Sequence, residues 1–510
     1  MRGRVAGLIQ ISVLTLMPGA VVAAHGSPPV RWVEARSTHF VVLTDSSEKE
    51  ARRVASQFER MHLVFHTLFP TPGDDSDAPI MVLAVKDRKD MEPLEPEAYL
   101  AKSQMDLSGF FLRTADKNYI LVRLDAQQAH AFSTVYHEYT HYMLRKADSW
   151  LPLWLNEGLA QFYANTDIDA KMAWLGQANP DELRLLNRND LLPIATLLAV
   201  NARSPYYHDE EKGSIFYAES WALTHYLIVS DRIQGTHRMH NYTELLAQGE
   251  DPVTAASHAF GDLEKLEHGL SDYAMQRKFM YFMMPAELAG KDALLEVRPV
   301  ATAEADAVRG DVLMYTGRTG DARELVETVL REDKDNALAH ETMGYLRLRE
   351  GDFAGAKKWF GEAVALDSNS YLANYCYAMA ALHGSNKDED MRIESSLRAA
   401  IRLNGEFAPA YDALAMFYAS RHRRLDEAHT LNMRAMELEP GRLSFRLNCA
   451  EVLAEQLRFA DALGVLEAAM RLARTPAEVD AVTNRVARVE RYQSATAGAA
   501  EKLREAGSGQ

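Results

Sequence analysis

The sequence predicts an α+β domain followed by an all-α superhelix, and three observations lead there. Residues 30 to 125 alternate short apolar, strand-like runs with one long amphipathic stretch. Two apolar helical segments follow at 135–143 and 153–163, each with one embedded carboxylate. From about residue 300 the chain turns alanine-rich and repeats with a period of 34 residues. The 510 residues exceed what one core usually organises, so two or three domains are expected. With a formal charge of −16 and no basic stripe, the chain reads as soluble and acidic, and nucleic-acid binding is not expected.

Taken in order, Met1 to Ala24 carries Arg2 and Arg4, an apolar run from Val5 broken at Pro18-Gly19, and small residues at Val22-Ala23-Ala24. This reads as a cleavable secretory signal, which implies a periplasmic protein of a bacterial envelope or a secreted one. An uncleaved anchor is the alternative, since the run is near the lower spanning length but contains Gln10 and Pro18. No cysteine follows to carry a lipid, and no other stretch is apolar enough to span a bilayer, so no membrane span is expected after signal removal. That removal takes away two arginines and no acid, leaving a formal charge of −18.

An upper α/β domain is expected over residues 28–165. Val30 to Ala35 and His39 to Thr44 are strand-like, Ser47 to Phe69 is an amphipathic helix, and Pro79 to Val85 is a near-continuous apolar strand. Gly109-Phe110-Phe111-Leu112 and Tyr119-Ile120-Leu121-Val122 flank a polar turn at Ala115-Asp116-Lys117-Asn118 and read as a hairpin.

Next comes Val135-Tyr136-His137-Glu138-Tyr139-Thr140-His141-Tyr142-Met143. In a helix, the four-residue spacing sets His137 and His141 on one face, one turn apart, where their nitrogens can converge on a zinc ion. Glu138 lies about 100° further round and can face a zinc-bound water instead of the metal, as in the HExxH metalloprotease motif. Residues 135–143 hold no other charge, so the helix can lie buried under a cleft, where a His-Glu-His cluster without a metal would be costly. Sixteen residues after His141, the second apolar helix carries Glu157. Catalytic zinc takes three protein ligands and keeps one open position, which makes Glu157 the candidate third ligand. The plainer readings are two core histidines with an outward glutamate, and a Glu157 that serves only the helix macrodipole.

The pair His137-Glu138-Tyr139-Thr140-His141 and Trp154-Leu155-Asn156-Glu157-Gly158-Leu159-Ala160 resembles the gluzincin clan of zinc peptidases. The second half looks like the corresponding segment of aminopeptidase N relatives and of bacterial peptidase MA-like proteins. The resemblance implies a zincin-like peptidase domain, Zn2+ held by His137, His141 and Glu157, and Glu138 as the base. The link from His141 to Glu157 is shorter than in thermolysin or aminopeptidase N, which implies a tight connection between the helices. Where thermolysin has an acid four residues past its third ligand, this chain has Gln161, an amide that can accept from imidazole but would raise its basicity less. In that clan a strand bordering the cleft pairs with the substrate backbone. One strand of the 109–122 hairpin either does this by β-augmentation or is an ordinary sheet strand.

Residues 166–290 read as a mainly helical lower domain. Aminopeptidase N relatives have a tyrosine in a Tyr-x-Lys-Gly segment opening a helix, whose phenol stabilises the oxyanion; Tyr217-Ala218-Glu219-Ser220 matches it in the tyrosine alone. The resemblance implies that role for Tyr217. Registration on Lys212-Gly213 would put Glu210 there instead, and a carboxylate cannot donate a hydrogen bond. A packing role for Tyr217 stays open, with Tyr206 and Tyr207 close by in sequence. His225 reads as a helix-packing histidine, not a fourth ligand. Aminopeptidase N relatives recognise a free amino terminus with a Gly-x-Met-Glu-Asn type strand, and none precedes the motif here, which leans toward an endopeptidase or an unusual specificity.

Pro285 to Thr302 changes texture, and residues 300–492 read as tetratricopeptide (TPR) repeats. Gly317 and Gly351, Ala322 and Ala356, Ala428 and Ala462, and Ala435 and Ala469 are each 34 apart. About five helical pairs are expected, looser at Gly384 to Asp390, closed by a capping helix at Pro476 to Tyr492 and followed by a flexible tail over 493–510. Such a superhelix offers a concave face to a peptide or protein partner, or merely shields and orients the first domain. Cys376 and Cys449 fall two repeats apart, roughly 20 Å, beyond disulfide reach, and are expected to be free and buried.

The predicted architecture is therefore an α+β zincin-like peptidase domain followed by an all-α TPR superhelix. Two functions fit it. One is an exported zinc metallopeptidase hydrolysing peptide bonds in a peptide or protein substrate, with repeats that recruit a partner. The other is a catalytically inactive peptidase-like scaffold in the cell envelope.

Overall fold

A computed structural model describes residues 31–69, 79–96, 108–114, 117–126, 132–146, 150–201, 203–208, 210–290, 294–382 and 387–507. The segment read as an export signal lies outside the described residues, as do turn residues 115 and 116 and residues 508–510.

The first domain is built on β1 (Trp32–Arg36), β2 (Phe40–Thr44), α1 (Glu48–Leu68), β3 (Ile80–Val85), β4 (Gly109–Arg113), β5 (Asn118–Arg123), α2 (Ser133–Lys146) and α3 (Leu153–Ala164). Ser47 caps α1 by accepting from the Glu50 amide, as a serine before an apolar-periodic run should. The lower part holds two short strands, β6 (Asp167–Ile168) and β7 (Met172–Leu175). Its helices are α4 (Pro180–Arg188), α5 (Ile194–Ala199), α6 (Pro205–His208), α7 (Glu210–Gln234), α8 (Arg238–Ala247), α9 (Pro252–Phe260) and α10 (Leu263–Ala274). Then come β8 (Phe282–Pro285) and β9 (Glu296–Val300).

The main sheet runs β4-β5-β3-β2-β1-β9. The β2–β3 and β3–β5 pairs are parallel and the others antiparallel. Two features depart from the sequence reading. β9, from the stretch where the sequence changes texture, returns to pair with β1, so the upper domain does not end at residue 165. The lower domain also contains a small sheet, β6-β7-β8.

The central strands β2, β3 and β5 are buried on both faces, which is why they read as continuous apolar runs. Val42, Val82, Ala84, Ile120 and Val122 face α1, α2 and α3. The alternate residues Leu43, Leu83, Val85, Tyr119 and Leu121 join Val308, Val312 and Met343 of the repeat helices in a second core. The repeat array is therefore docked on the sheet and not merely tethered to it.

The array comprises α11 (Thr302–Tyr315), α12 (Thr319–Glu332), α13 (Ala337–Arg349), α14 (Phe353–Ala365), α15 (Tyr371–Ala381), α16 (Lys387–Leu403), α17 (Ala408–Ser420), α18 (Leu425–Leu438), α19 (Leu443–Glu455), α20 (Phe459–Met470) and α21 (Pro476–Gly507). Among the described residues these form five successive packed pairs plus α21. Gly344 shows why small residues recur: a Cβ there would stand 2.7 Å from the Phe360 ring of the partner helix. The array is tetratricopeptide-like in period and packing. Its last helix corrects the expected tail. α21 continues to Gly507 because residues 493–507 are rich in Ala, Glu, Lys, Arg and Leu, all good helix formers.

Docking is fixed by a buried polar cluster. Lys117 of the hairpin reaches Glu341 at 2.8 Å and Asp311 at 3.4 Å. Asp311 also accepts from the Tyr119 and Thr342 hydroxyls, and Glu341 from Ser368. Both cysteines are free, Cys449 buried and Cys376 half-buried. Among the described residues, no helix is long and apolar enough to cross a membrane.

Candidate metal centre

In α2 the residues Tyr136, Tyr139, Thr140 and Met143 point into the core, a helical stripe that leaves His137, Glu138 and His141 facing a cleft. Tyr139 is anchored from α1, where the His62 ring lies 2.9 Å from its hydroxyl. α3 crosses behind, with Trp154 and Leu155 fully buried and Glu157 only 5% exposed. Gly158 makes that crossing possible. A Cβ there would overlap the Thr224 hydroxyl and stand 2.5 Å from the Ser220 carbonyl oxygen, so α3 and α7 meet backbone to backbone beside the glutamate.

His137 and His141 present their Nε2 atoms 3.0 Å apart, with the rings nearly perpendicular at 83°. The Glu157 carboxylate lies 3.4 Å from the first and 3.3 Å from the second. Among the described residues these three form the one cluster of potential ligand atoms of this kind. Tetrahedral ligands at ordinary zinc bond lengths of about 2.0–2.1 Å stand about 3.3–3.4 Å apart, so the donor set and its spacing fit a zinc ion. Burial pushes the Glu157 carboxyl up, but hydrogen bonds from both histidines and their charge outweigh it and hold it at about 2. Burial lowers the His141 pKa, and the hydrogen bond and charge of Glu157 more than reverse that, with Glu138 adding to the rise.

Glu138 lines the same cleft, of about 820 Å³, without belonging to the ligand cluster. Tyr217 enters from α7 and is half-buried. Burial, then the charges of Glu157 and Tyr207, raise its phenol pKa, so it stays protonated and able to donate. All five residues singled out from sequence thus border one cleft, while the Glu210 side chain lies outside the described residues.

Three cleft residues were not singled out. Tyr207, on the single turn of α6, lines the cleft with its ring 6.2 Å from the Tyr217 ring, and burial and then the Glu157 charge raise its pKa. No spacing rule could have found it. Asn156 lines the cleft and adds to the rise of the His141 pKa, a place its position next to Glu157 could have suggested. Gln161, considered for such a part, makes no hydrogen bond to either ring among the described residues. Arg145, one turn beyond His141 on α2, also lines the cleft. His225 is a packing residue, fully buried, with Nδ1 2.6 Å from the Tyr273 hydroxyl and Nε2 2.8 Å from the Gly176 carbonyl. Burial drives its pKa down to about 4, so it is a neutral imidazole that donates from Nε2 and accepts at Nδ1.

Residues 131–244 match a family described only as a protein of unknown function, DUF1570, and the match encloses every cleft residue discussed above. No curated protein matches the chain significantly. Several solved structures are similar to part of it. YrrB, titled a TPR protein with an unusual peptide-binding site, is 18% identical over 35% of this chain and 90% of its own, with a TM-score of 0.32. MamA is 21% identical over 34% of this chain and 98% of its own, with a TM-score of 0.29. PilF of Pseudomonas aeruginosa is 17% identical over 41% of this chain and 93% of its own, also with a TM-score of 0.29.

Proposed function

We propose that the protein is an exported zinc-dependent metallopeptidase of gluzincin type whose TPR array recruits a peptide or protein. The observation that carries the proposal is the convergence of two imidazole nitrogens and one carboxylate at 3.0–3.4 Å, with a second carboxylate left free beside them. His137, His141 and Glu157 would hold the zinc. When bound, it would supply a Lewis acid that polarises a scissile carbonyl and lowers the pKa of a water toward neutrality.

The chain's own residues take the remaining tasks. Glu138 receives the proton of the attacking water and delivers it to the departing nitrogen. Tyr217 donates from its phenol to the negative charge developing on the carbonyl oxygen, and the Tyr207 ring packs beside it at 6.2 Å. Asn156, in the same lining, can accept a hydrogen bond from the His141 ring. β4 lies at the sheet edge against α2, with the Phe111 and Tyr142 rings 6.0 Å apart, and its outer backbone can pair with an extended peptide.

A scaffold reading is favoured by one observation, the firm seating of the array on the sheet through Lys117, Asp311 and Glu341. Hydrolysis of a quenched peptide library by wild type and by Glu138→Gln, both loaded with zinc, separates the two. Turnover by wild type that Glu138→Gln abolishes supports the peptidase. Stoichiometric zinc with no turnover in either protein supports the scaffold.

A further inference from the structure

Arg145 sits on the same face of α2 as His141, one turn later, and lines the cleft with His137 and Glu138. Arg113 ends β4, paired in register with Asn118, and α2 packs across that strand. Arg145 is thus the cleft's own guanidinium, and Arg113 reaches it from a second element. They are close enough to oppose each other: burial and then the Arg113 charge lower the Arg145 pKa, against the pull of Glu138. Among the described residues neither arginine forms an ion pair. In a chain of formal charge −16, and beside a centre built from Glu138 and Glu157, an arginine that lines the cleft with no ion pair among the described residues is a built asymmetry. Arginine's planar fork is suited to gripping a carboxylate.

We propose that Arg145, with Arg113 beside it, determines the specificity of this cleft by taking a substrate carboxylate. Preferred peptides carry an Asp or Glu side chain, or a free C-terminus, at the end of the cleft that Arg145 lines. The inference rests on the peptidase reading for its biological meaning, but its test does not need turnover.

The probe is an alanine-based octapeptide series with one Glu stepped through all positions, a Gln counterpart for each, and every member made with a free and an amidated C-terminus. Binding to full-length, zinc-loaded Glu138→Gln protein is read by fluorescence polarisation. A Glu or free-carboxylate member should bind about tenfold tighter than its neutral counterpart. Adding Arg145→Gln should abolish that ratio, Arg113→Gln should reduce it, and Arg145→Lys should retain part of it, with circular dichroism reporting folding in each. The free and amidated arms tell a side-chain carboxylate from a chain terminus. Equal binding of charged and neutral peptides overturns the proposal, as does a preference that survives Arg145→Gln with Arg113→Gln. Absence of wild-type hydrolysis counts against the peptidase reading alone, since an Arg145-dependent binding preference would still establish the carboxylate pocket.

Discussion

Gly158→Ala tests whether the third ligand is placed by a backbone crossing. The added methyl would overlap the Thr224 hydroxyl and stand 2.5 Å from the Ser220 carbonyl oxygen. Non-bonded contact begins near ~3.5 Å, and a backbone oxygen cannot rotate aside, so α3 must withdraw from α7 by about 1 Å. Overpacking of this kind costs about 1–3 kcal/mol, which lowers the unfolding midpoint by roughly 3–10 °C. Glu157 precedes the glycine and travels with α3, while ligation tolerates about 0.2 Å. Zinc affinity should therefore fall about 10- to 100-fold. Scanning calorimetry and competition with a chelator read the two effects separately. Thr224→Ala in the same chain removes the hydroxyl clash but not the carbonyl one, so recovery should be partial. Wild-type stability and wild-type zinc affinity in Gly158→Ala would refute the claim that this crossing positions the ligand.

Tyr217→Phe removes the phenol donor and should lower kcat by about 100-fold with little change in KM, measured on any cleaved peptide. Burial holds the Glu182 carboxyl up at about 8, and burial with the Glu267 charge does the same for Glu219 despite a hydrogen bond from the Leu192 amide. Between about pH 4.5 and 8 the folded chain keeps protons on these groups that the unfolded chain has released, so stability should fall as pH rises through that window. Glu182→Gln should flatten this slope in urea titrations taken at several pH values, and an unchanged slope would contradict it. Lys117→Met strands Asp311, which is fully buried, and Glu341 without their cation. It should cost about 3 kcal/mol and expose the junction before α11 to limited proteolysis.

The parts of the fold that could be read in advance are those where chemistry or packing imposes a period. His137, Glu138 and His141 announce themselves because one helical turn is the spacing that brings two imidazoles together, and Glu157 follows from the need for a third donor. The 34-residue recurrence reflects close helix approach, seen at Gly344 against Phe360. The docked array had a signal too: strands such as Ile80–Val85 are apolar on both faces, which requires a second layer. β9 had none. Glu-Val-Arg-Pro-Val is largely exposed, contains a proline suited only to an edge, and is a strand because β1 is there to pair with it. Tyr207 was equally silent, since it reaches the cleft from the separate turn of α6, whereas Arg145, four residues after His141 on the same helix, continued the stripe and could have been read.

The most direct test is the metal centre itself, by zinc content and anomalous diffraction on the full-length protein. One zinc per chain is expected, bound by His137 Nε2, His141 Nε2 and a Glu157 oxygen at about 2.0–2.2 Å, with Glu138 outside the ligand set. Zinc-saturated crystals with no ion at these residues, or with Glu157 turned away from both rings, would contradict the account.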